Sequence, residues 1–185
     1  MPAPFEMSIE QVKLISFGPR RDIIAVLANE PDLSAREIAE RLDRGVTALY
    51  RHLDALVDSR LIHQSGSRPG SKRPHALYAL AARLYSARTA TETAEGRAAF
   101  AQAATRYAAA ASRKFSRAMR DGTARPFAED ANVSLNNVDL QLDRASLIEL
   151  QKLLQDFLAQ ARKLRVRGEA GLEPVTLTVL IAPTR

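Results

Sequence analysis

Apolar residues recur every three or four positions in two short adjacent segments, a pattern that predicts two amphipathic helices. The first segment, from Ser34 to Leu42, opens on Ser-x-x-Glu, so Ser34 and Glu37 are expected to form a capping box. The second segment runs from Val46 to Val57. Its apolar stripe, expected to face the core, consists of Val46, Leu49, Leu53, Leu56 and Val57.

A β-hairpin is predicted directly after the helix pair, because short apolar runs flank a segment rich in turn residues. Its first strand begins with Leu61 to Gln64, and its second contains Ala76 to Leu80. The connecting loop is expected to span Ser65 to Pro74, where glycine and proline support a turn. Two helices followed by such a hairpin are typical of a winged helix-turn-helix, which reads the major groove of DNA.

The polar side of the second helix holds the candidate base contacts. Small and polar groups near a helix N-terminus, with an arginine one turn further on, can enter the groove and meet base edges. The base contacts are predicted to be Thr47, Ala48, Tyr50 and Arg51. The phosphate contacts are predicted to be Ser34, Arg36, Arg68, Lys72, Arg73 and His75. An ordinary helix pair with a solvated polar face is the alternative interpretation.

The distribution of charge favours a polyanionic partner. From Ser59 to Thr91 the chain has no acidic residue, whereas acids and bases are mixed in the segment before it. The whole chain has 185 residues and a formal net charge of +6, with a pI near 10.0. Nucleic acid and an anionic membrane surface both fit such a balance. A basic loop that is merely solvated is the commoner outcome for a charge run.

Three segments carry a resemblance to a known family. The run Leu49 to Val57, followed by Ser59 to Ile62, resembles the recognition helix and turn of ArsR-like winged-helix transcriptional regulators. Arg73 to Tyr78 is similar to the close of their wing, and Pro19 to Leu27 resembles their first core helix. The resemblance spans roughly residues 8 to 85. It implies a homodimeric, sequence-specific regulator of transcription that binds double-stranded DNA, more often as a repressor. Two copies would contact half-sites roughly 34 Å apart on an inverted repeat.

Metal and catalytic chemistry find little support in the sequence. The chain has no cysteine, so sensing through thiolates, which many ArsR-like proteins use, is excluded. The three histidines lack the i, i+4 spacing of a helical metal site, and His52 is expected to be structural. Phosphate-binding glycine loops, Gly-x-Ser-x-Gly and His-Glu-x-x-His are absent from the sequence. We therefore expect no enzyme, no metal and no cofactor. A small-molecule effector stays possible but unidentified.

A long helix is predicted from Glu92 to Arg120, in an alanine-rich segment. The residues expected to form its seam against another helix are Phe100, Ala104, Tyr107, Ala111, Phe115 and Ala118. From Arg97 to Arg120 this helix has no acid and six basic residues. Its basic face could bind phosphates or an anionic effector. The alternatives are a solvated face or pairing with acids elsewhere, and the pattern favours these.

The remainder predicts one more helix between two strands. Asp143 is expected to cap the helix, whose apolar stripe contains Leu147, Leu150, Leu154, Phe157, Ala161 and Leu164. Val138 to Leu142 alternates, and Val175 to Ile181 is rich in β-branched residues, which predicts the flanking strands. The fold class is thus mainly α (α+β). We expect residues 1–90 to form a winged-helix DNA-binding domain and residues 91–185 to form a dimerisation and regulatory region.

The sequence also predicts the cellular compartment and leaves two alternative functions open. No apolar run approaches the length needed to span a membrane, and Met1 to Glu6 lacks the features of a secretion signal. We expect a cytoplasmic protein without a membrane partner. One rival is a winged-helix module that binds a partner protein. The other is a protein whose C-terminal region binds a small apolar ligand, although the same residues serve equally well as core or dimer interface.

Overall fold

The computed structural model describes residues 4–69, 74–164 and 175–183. The helices are α1 (Ile9–Ile15), α2 (Gly18–Asn29), α3 (Ala35–Arg41), α4 (Val46–Asp58), α5 (Ala94–Arg120) and α6 (Arg144–Lys163). The strands are β1 (Phe5–Glu6), β2 (Leu33–Ser34), β3 (Ile62–Arg68), β4 (His75–Leu80) and β5 (Tyr85–Ser86). A short 3₁₀ helix, Ala90–Glu92, precedes α5. None of the helices in the described residues has the combined length and apolar character needed to cross a bilayer.

The helices begin where local sequence signals place them. The predicted capping box is present at α3, where Ser34 accepts a hydrogen bond from the backbone N–H of Glu37 and the Glu37 carboxylate accepts one from Ser34. Ser8 and Gln11 form the same arrangement at α1. Pro19 lies in the first turn of α2, where its missing N–H costs no helical hydrogen bond. These caps satisfy backbone groups that a helix end otherwise leaves without partners.

The core lies where α2, α3 and α4 meet. Ile23 of α2, Ile38 of α3 and Leu53 of α4 are each completely covered. Leu49 and Leu56 are covered in the same way, as the predicted stripe requires. The prediction was wrong at the C-terminal end of the stripe, where the final valine of α4 is exposed. It lies at the edge of the stripe in the last turn of the helix, where the packing against the core ends.

A three-stranded sheet in the order β2-β4-β3 completes the winged helix-turn-helix. β3 and β4 are antiparallel from the pair Ile62 and Leu80 to the pair Arg68 and His75, with an irregularity between Gln64 and Gly66. The prediction placed Ser65 in the loop, whereas β3 continues to Arg68. Pairing with β4 supplies hydrogen bonds that the polar sequence alone does not reveal. Residues 70–73 of the predicted loop, with Lys72 and Arg73, lie outside the described residues.

The N-terminal strand is tied to the end of the hairpin. β1 pairs in parallel with β5, and the rings of Phe5 and Tyr85 meet edge to face with 5.6 Å between their centroids. The Tyr85 hydroxyl donates a 2.5 Å hydrogen bond to the carbonyl of Leu61, at the start of the wing. These contacts join three segments that are distant in sequence.

α5 packs partly through the predicted seam, from which Tyr107 contacts the core, and partly through a neighbouring stripe of small residues. Its buried residues are Gly96, Ala99, Ala103 and Ala110, whereas Phe100 of the predicted seam is half exposed. A Cβ atom on Gly96 would lie 1.6 Å from the carbonyl oxygen of Ala90, so only glycine permits this approach of α5 to the 3₁₀ helix. Small side chains let the helix lie close to the core, and this favours the alanine stripe.

The two predicted C-terminal strands are absent from the described residues. Both 121–143 and 175–183 lack helix and strand, and Val138, Leu140 and Val179 are exposed. Alternation describes a strand only when a neighbouring edge is available to pair with it. The predicted helix between them does form as α6, and the Asp143 carboxylate accepts a 2.7 Å hydrogen bond from the N–H of Ser146.

The chain divides into two compact units within α5. The first contains residues up to Lys114 together with a segment from Leu177 onward, and the second runs from Phe115 to Thr176. The N-terminal half of α5 belongs with the winged helix because Ala99 and Ala103 join its hydrophobic core. The functional division into 1–90 and 91–185 stays a prediction.

Candidate nucleic-acid interface

α4 has one buried side and one solvated side, and the predicted base contacts lie on the second. Leu49, Leu53 and Leu56 fix the helix in the core. Thr47, Ala48, Tyr50 and Arg51 are all exposed. The structure therefore brings these four residues onto one surface of a firmly packed helix. A recognition helix needs this combination, because side chains can read base edges only if the helix that carries them is held in place.

The N-terminus of α4 is open to an anion. Its first turn has no acidic residue, and Gly45 at the N-cap position provides no side-chain hydrogen bond. A Cβ atom on Gly45 would meet nothing within 4 Å. The positive end of the helix dipole therefore favours a phosphate oxygen at this position.

Arg44 was not among the predicted contacts, although it directly precedes this helix N-terminus. Its side chain is half exposed, and its Nη2 lies 3.8 Å from Oδ2 of Asp22. The sequence signal was present as an Arg-Gly pair in the turn between two predicted helices. A cation at this position complements the open helix end in contacts with a DNA backbone.

His52 supports α4 from the inside, as expected of a structural histidine. It is buried, and its ring lies 5.6 Å from the ring of Phe17, centroid to centroid. Burial lowers its pKa, and the nearby cations Arg51, Arg20 and Arg44 lower it further. Nε2 of the neutral ring accepts a 3.4 Å hydrogen bond from Nε of Arg51. This bond helps to orient the arginine on the outer face of α4.

The wing is fastened to α3 by an ion pair. Nη1 of Arg68 lies 2.8 Å from Oε1 of Glu37, the same residue that completes the capping box. Arg68 remains half exposed and has further donors, so the pair leaves its predicted phosphate contact open. His75 is also exposed, opposite Arg68 at the end of the wing strands. The ion pair thus connects the loop end of β3 to the start of α3.

The predicted contacts on α3 differ in their accessibility. Ser34 is buried, and its hydroxyl donates a 2.7 Å hydrogen bond to Oε2 of Glu37 while it caps the helix. Arg36 is exposed and forms an i, i+4 ion pair of 3.0 Å with Glu40. Such an exposed pair is weak and exchanges readily for a phosphate. Among the described residues, no group of three or more acidic, histidine or cysteine side chains could hold a metal ion.

Replacing Glu37 by glutamine is expected to lower the free energy of unfolding by about 1 kcal/mol at neutral pH. The hydrogen bond from the Ser34 backbone N–H, then that from its hydroxyl and the neighbouring Arg68, lower the pKa of Glu37 from 4.5 to about 2. Because this pKa is lower in the folded state, the stabilisation is present above pH 4.5 and disappears as the pH falls toward about 2. Urea unfolding of both proteins across this range measures the difference.

Glu40→Gln is the matched control, since it removes a carboxylate from an exposed pair on the same helix. We expect it to cost less than about 0.5 kcal/mol. If Glu37→Gln unfolds at the same urea concentration as the parent at neutral pH, the negative charge of Glu37 and its ion pair with Arg68 do not stabilise the fold.

The order of helices and strands and the three-stranded sheet define a winged helix-turn-helix fold. A family model described as HVO_A0114 matches residues 18–80, from the start of α2 to the end of β4. No curated protein sequence matches the chain significantly.

Several solved structures align with most of the chain. RV1404 from Mycobacterium tuberculosis covers 82% of this chain and 83% of its own, with 18% identity and a TM-score of 0.30. The alignment with YusO from Bacillus subtilis covers 83% of this chain and 85% of YusO, with 19% identity and a TM-score of 0.31. A third structure is the MarR family protein RV2887 from Mycobacterium tuberculosis, solved with salicylic acid. The alignment covers 80% of this chain and 85% of RV2887, with 19% identity and a TM-score of 0.31. These values assign neither a family nor a function, and the ArsR-like resemblance stays a prediction.

Proposed function

We propose that the protein is a sequence-specific, DNA-binding regulator of transcription that uses α4 as its recognition helix. The observation that carries this proposal is the pairing of a fully buried side with an exposed side that holds Thr47, Ala48, Tyr50 and Arg51. A helix with this division can lie in the major groove while its position stays fixed by the core. Catalysis plays no part in the proposal.

The charges beside α4 support the same surface. Arg44 and the open N-terminus of α4 lie at one end, and Arg36, Arg68 and His75 are exposed on the neighbouring elements. Lys72 and Arg73 enter the proposal from the sequence alone. Together these cations would neutralise phosphates and set the register of the helix on the duplex. Ser34 is left out because its hydroxyl is engaged in the cap.

We further propose that two copies of the chain assemble through the second unit. No residue of α6 is buried within the single chain, although the helix carries Leu147, Ile148, Leu153 and Phe157. Apolar surface of this kind marks a protein interface. A second copy supplies an identical surface, as a two-fold symmetric dimer requires. The dimer would bind an inverted repeat and act in the cytoplasm as a repressor, without thiolate sensing.

Replacing both Leu153 and Phe157 by aspartate is expected to convert the dimer into a monomer. The two side chains are four residues apart on one helical face and are 57% and 52% exposed in the single chain. Two buried carboxylates at a dimer interface would oppose association strongly. Light scattering after size exclusion should give one chain mass, 20.3 kDa, for this variant and twice that mass for the parent.

Gln155→Asp is the control, since it adds a carboxylate at a polar, exposed position of the same helix. It should remain dimeric. A parent protein that elutes with the mass of one chain would contradict the proposed assembly.

Selection from genomic fragments tests the proposed function. The protein is mixed with fragmented duplex DNA, and the retained fragments are sequenced and compared with scrambled duplexes at several salt concentrations. We expect a shared, two-fold symmetric motif, tighter binding than to scrambled DNA, and an affinity that falls steeply with salt. Equal or undetectable binding to both would contradict the proposal and would favour a module that binds a partner protein.

A further inference from the structure

A cleft with a strongly basic lining lies between the α1–α2 turn and α5, within the first compact unit. We call it the basic cleft. It has a volume of about 340 Å³, within the range of small-molecule sites. Its lining includes Ser16, Phe17, Gly18, Arg21, Arg106 and Arg113. The cleft is separate from the outer face of α4.

Arg106 is held in place by a buried hydroxyl. Ser16 is 2% exposed, and its Oγ donates a 2.7 Å hydrogen bond to the carbonyl of Lys13. The same Oγ accepts a 2.8 Å hydrogen bond from Nη1 of Arg106. This contact uses one edge of the guanidinium and leaves its other donors for a ligand. An arginine oriented in this way loses little conformational freedom on binding.

Arg21 of α2 also lines the basic cleft and is held in place. Its side chain is only 17% exposed, and its Nη2 lies 3.0 Å from Oδ1 of Asp22. The guanidinium carbon lies 5.3 Å from the centroid of the Tyr107 ring. Stacking of this kind keeps the guanidinium plane in one orientation. Two of the arginines are thus held before any ligand arrives.

Arg113 adds a third cation to the same wall as Arg106. The two residues are seven positions apart on α5, so they share one helical face. Gly18 contributes the N-terminus of α2, which has no acidic residue in its first turn and no side-chain cap. Among the described residues, no carboxylate lines the cleft. Asp22, the nearest acid to Arg21, already contacts both Arg21 and Arg44.

We propose that the basic cleft binds a small organic anion, a carboxylate attached to an apolar body. The carboxylate would accept hydrogen bonds from Arg106 and Arg113, with Arg21 beside them. Phe17 and Ala109 in the lining offer apolar contact to the rest of the molecule. Three cations close together repel one another, and a bound anion relieves that repulsion.

An occupant of the basic cleft would also touch the support of the recognition helix. Phe17 lines the cleft and packs against His52 of α4. A ligand that displaces the Phe17 ring would therefore act on the position of α4. This link to DNA rests on the proposed function, whereas the binding of the anion does not.

Titration with benzoate, followed by proton–nitrogen correlation NMR of the full chain without DNA, tests the proposal. We expect shifts of the amide signals of residues 16–21 and 106–113. Arg113→Gln should bind at least about tenfold more weakly, and the double variant Arg106→Gln, Arg113→Gln more weakly still. Arg113 is exposed, so its replacement leaves the fold intact, and the unchanged remainder of the spectrum will show this.

Arg117→Gln is the matched control, because it removes the same charge from α5 outside the cleft lining. It should bind benzoate as the parent does. Benzyl alcohol, which lacks the charge, should bind at least about tenfold more weakly than benzoate. The proposal is overturned if the parent does not bind benzoate, if Arg113→Gln binds it equally well, or if the alcohol binds as tightly. The experiment contains no DNA, so its failure would leave the proposed function untouched.

Discussion

Replacing Leu53 by alanine is expected to lower the free energy of unfolding by about 2–5 kcal/mol. Leu53 is completely covered, at 0% exposure, on the side of α4 that packs against α2 and α3. The substitution removes buried methyl groups and leaves a cavity that tightly packed neighbours fill only in part. Urea unfolding followed by circular dichroism measures the loss.

Val57→Ala is the control on the same helix. Val57 is 36% exposed, so its truncation should cost less than about 1 kcal/mol. Equal losses for the two variants would mean that α4 is not seated by its leucine stripe. In that case its outer face would have no fixed position from which to read DNA.

Replacing Arg51 by alanine is expected to weaken specific DNA binding by about 1–3 kcal/mol, roughly fivefold to 150-fold. Arg51 is exposed on α4, and its Nε contacts the buried His52. The remaining donors can form a bidentate contact with a base edge. Fluorescence anisotropy with the selected duplex at constant salt gives the two affinities.

Arg88→Ala removes the same charge outside the proposed interface, near the carboxylate of Glu6. It should reduce affinity only slightly, through the general electrostatic attraction. A loss equal to that of Arg51→Ala would mean that the effect is one of net charge and not of a base contact.

Features that depend on neighbours in sequence could be predicted. The capping box of Ser34 and Glu37 and the stripe through Leu49, Leu53 and Leu56 both arise within a few turns of chain. The helical period then places the polar residues of α4 on the outer face without further information. The outline of the candidate interface was accessible for the same reason.

Features that depend on distant partners could not be predicted. The extension of β3 to Arg68 needs the pairing with β4, and the ion pair between Arg68 and Glu37 joins residues 31 positions apart. In α5, alanine offers several faces of similar character, and the close approach at Gly96 decides between them. The alternation around Leu140 lacked an adjacent strand edge, so no strand formed there.

For the basic cleft, the sequence reveals the positive charge but not the arrangement of the side chains. The absence of acids from Arg97 to Arg120 is visible in the sequence. The hydrogen bond from Arg106 to Ser16 and the place of Arg106 in the same cleft as Arg21 come from the packing of α5. The charge pattern alone favoured a solvated face.

The most direct test of the proposed recognition surface is the base preference of two variants. The affinities of the parent, Arg51→Ala and Lys72→Ala are measured for every single-base-pair change in the selected duplex. Arg51→Ala should lose its preference at one base pair of each half-site and keep the others. Lys72→Ala should weaken all duplexes alike and reduce the slope of affinity against salt by about 1. If both variants keep the affinity and the base preferences of the parent, α4 and the wing do not form the DNA-binding surface.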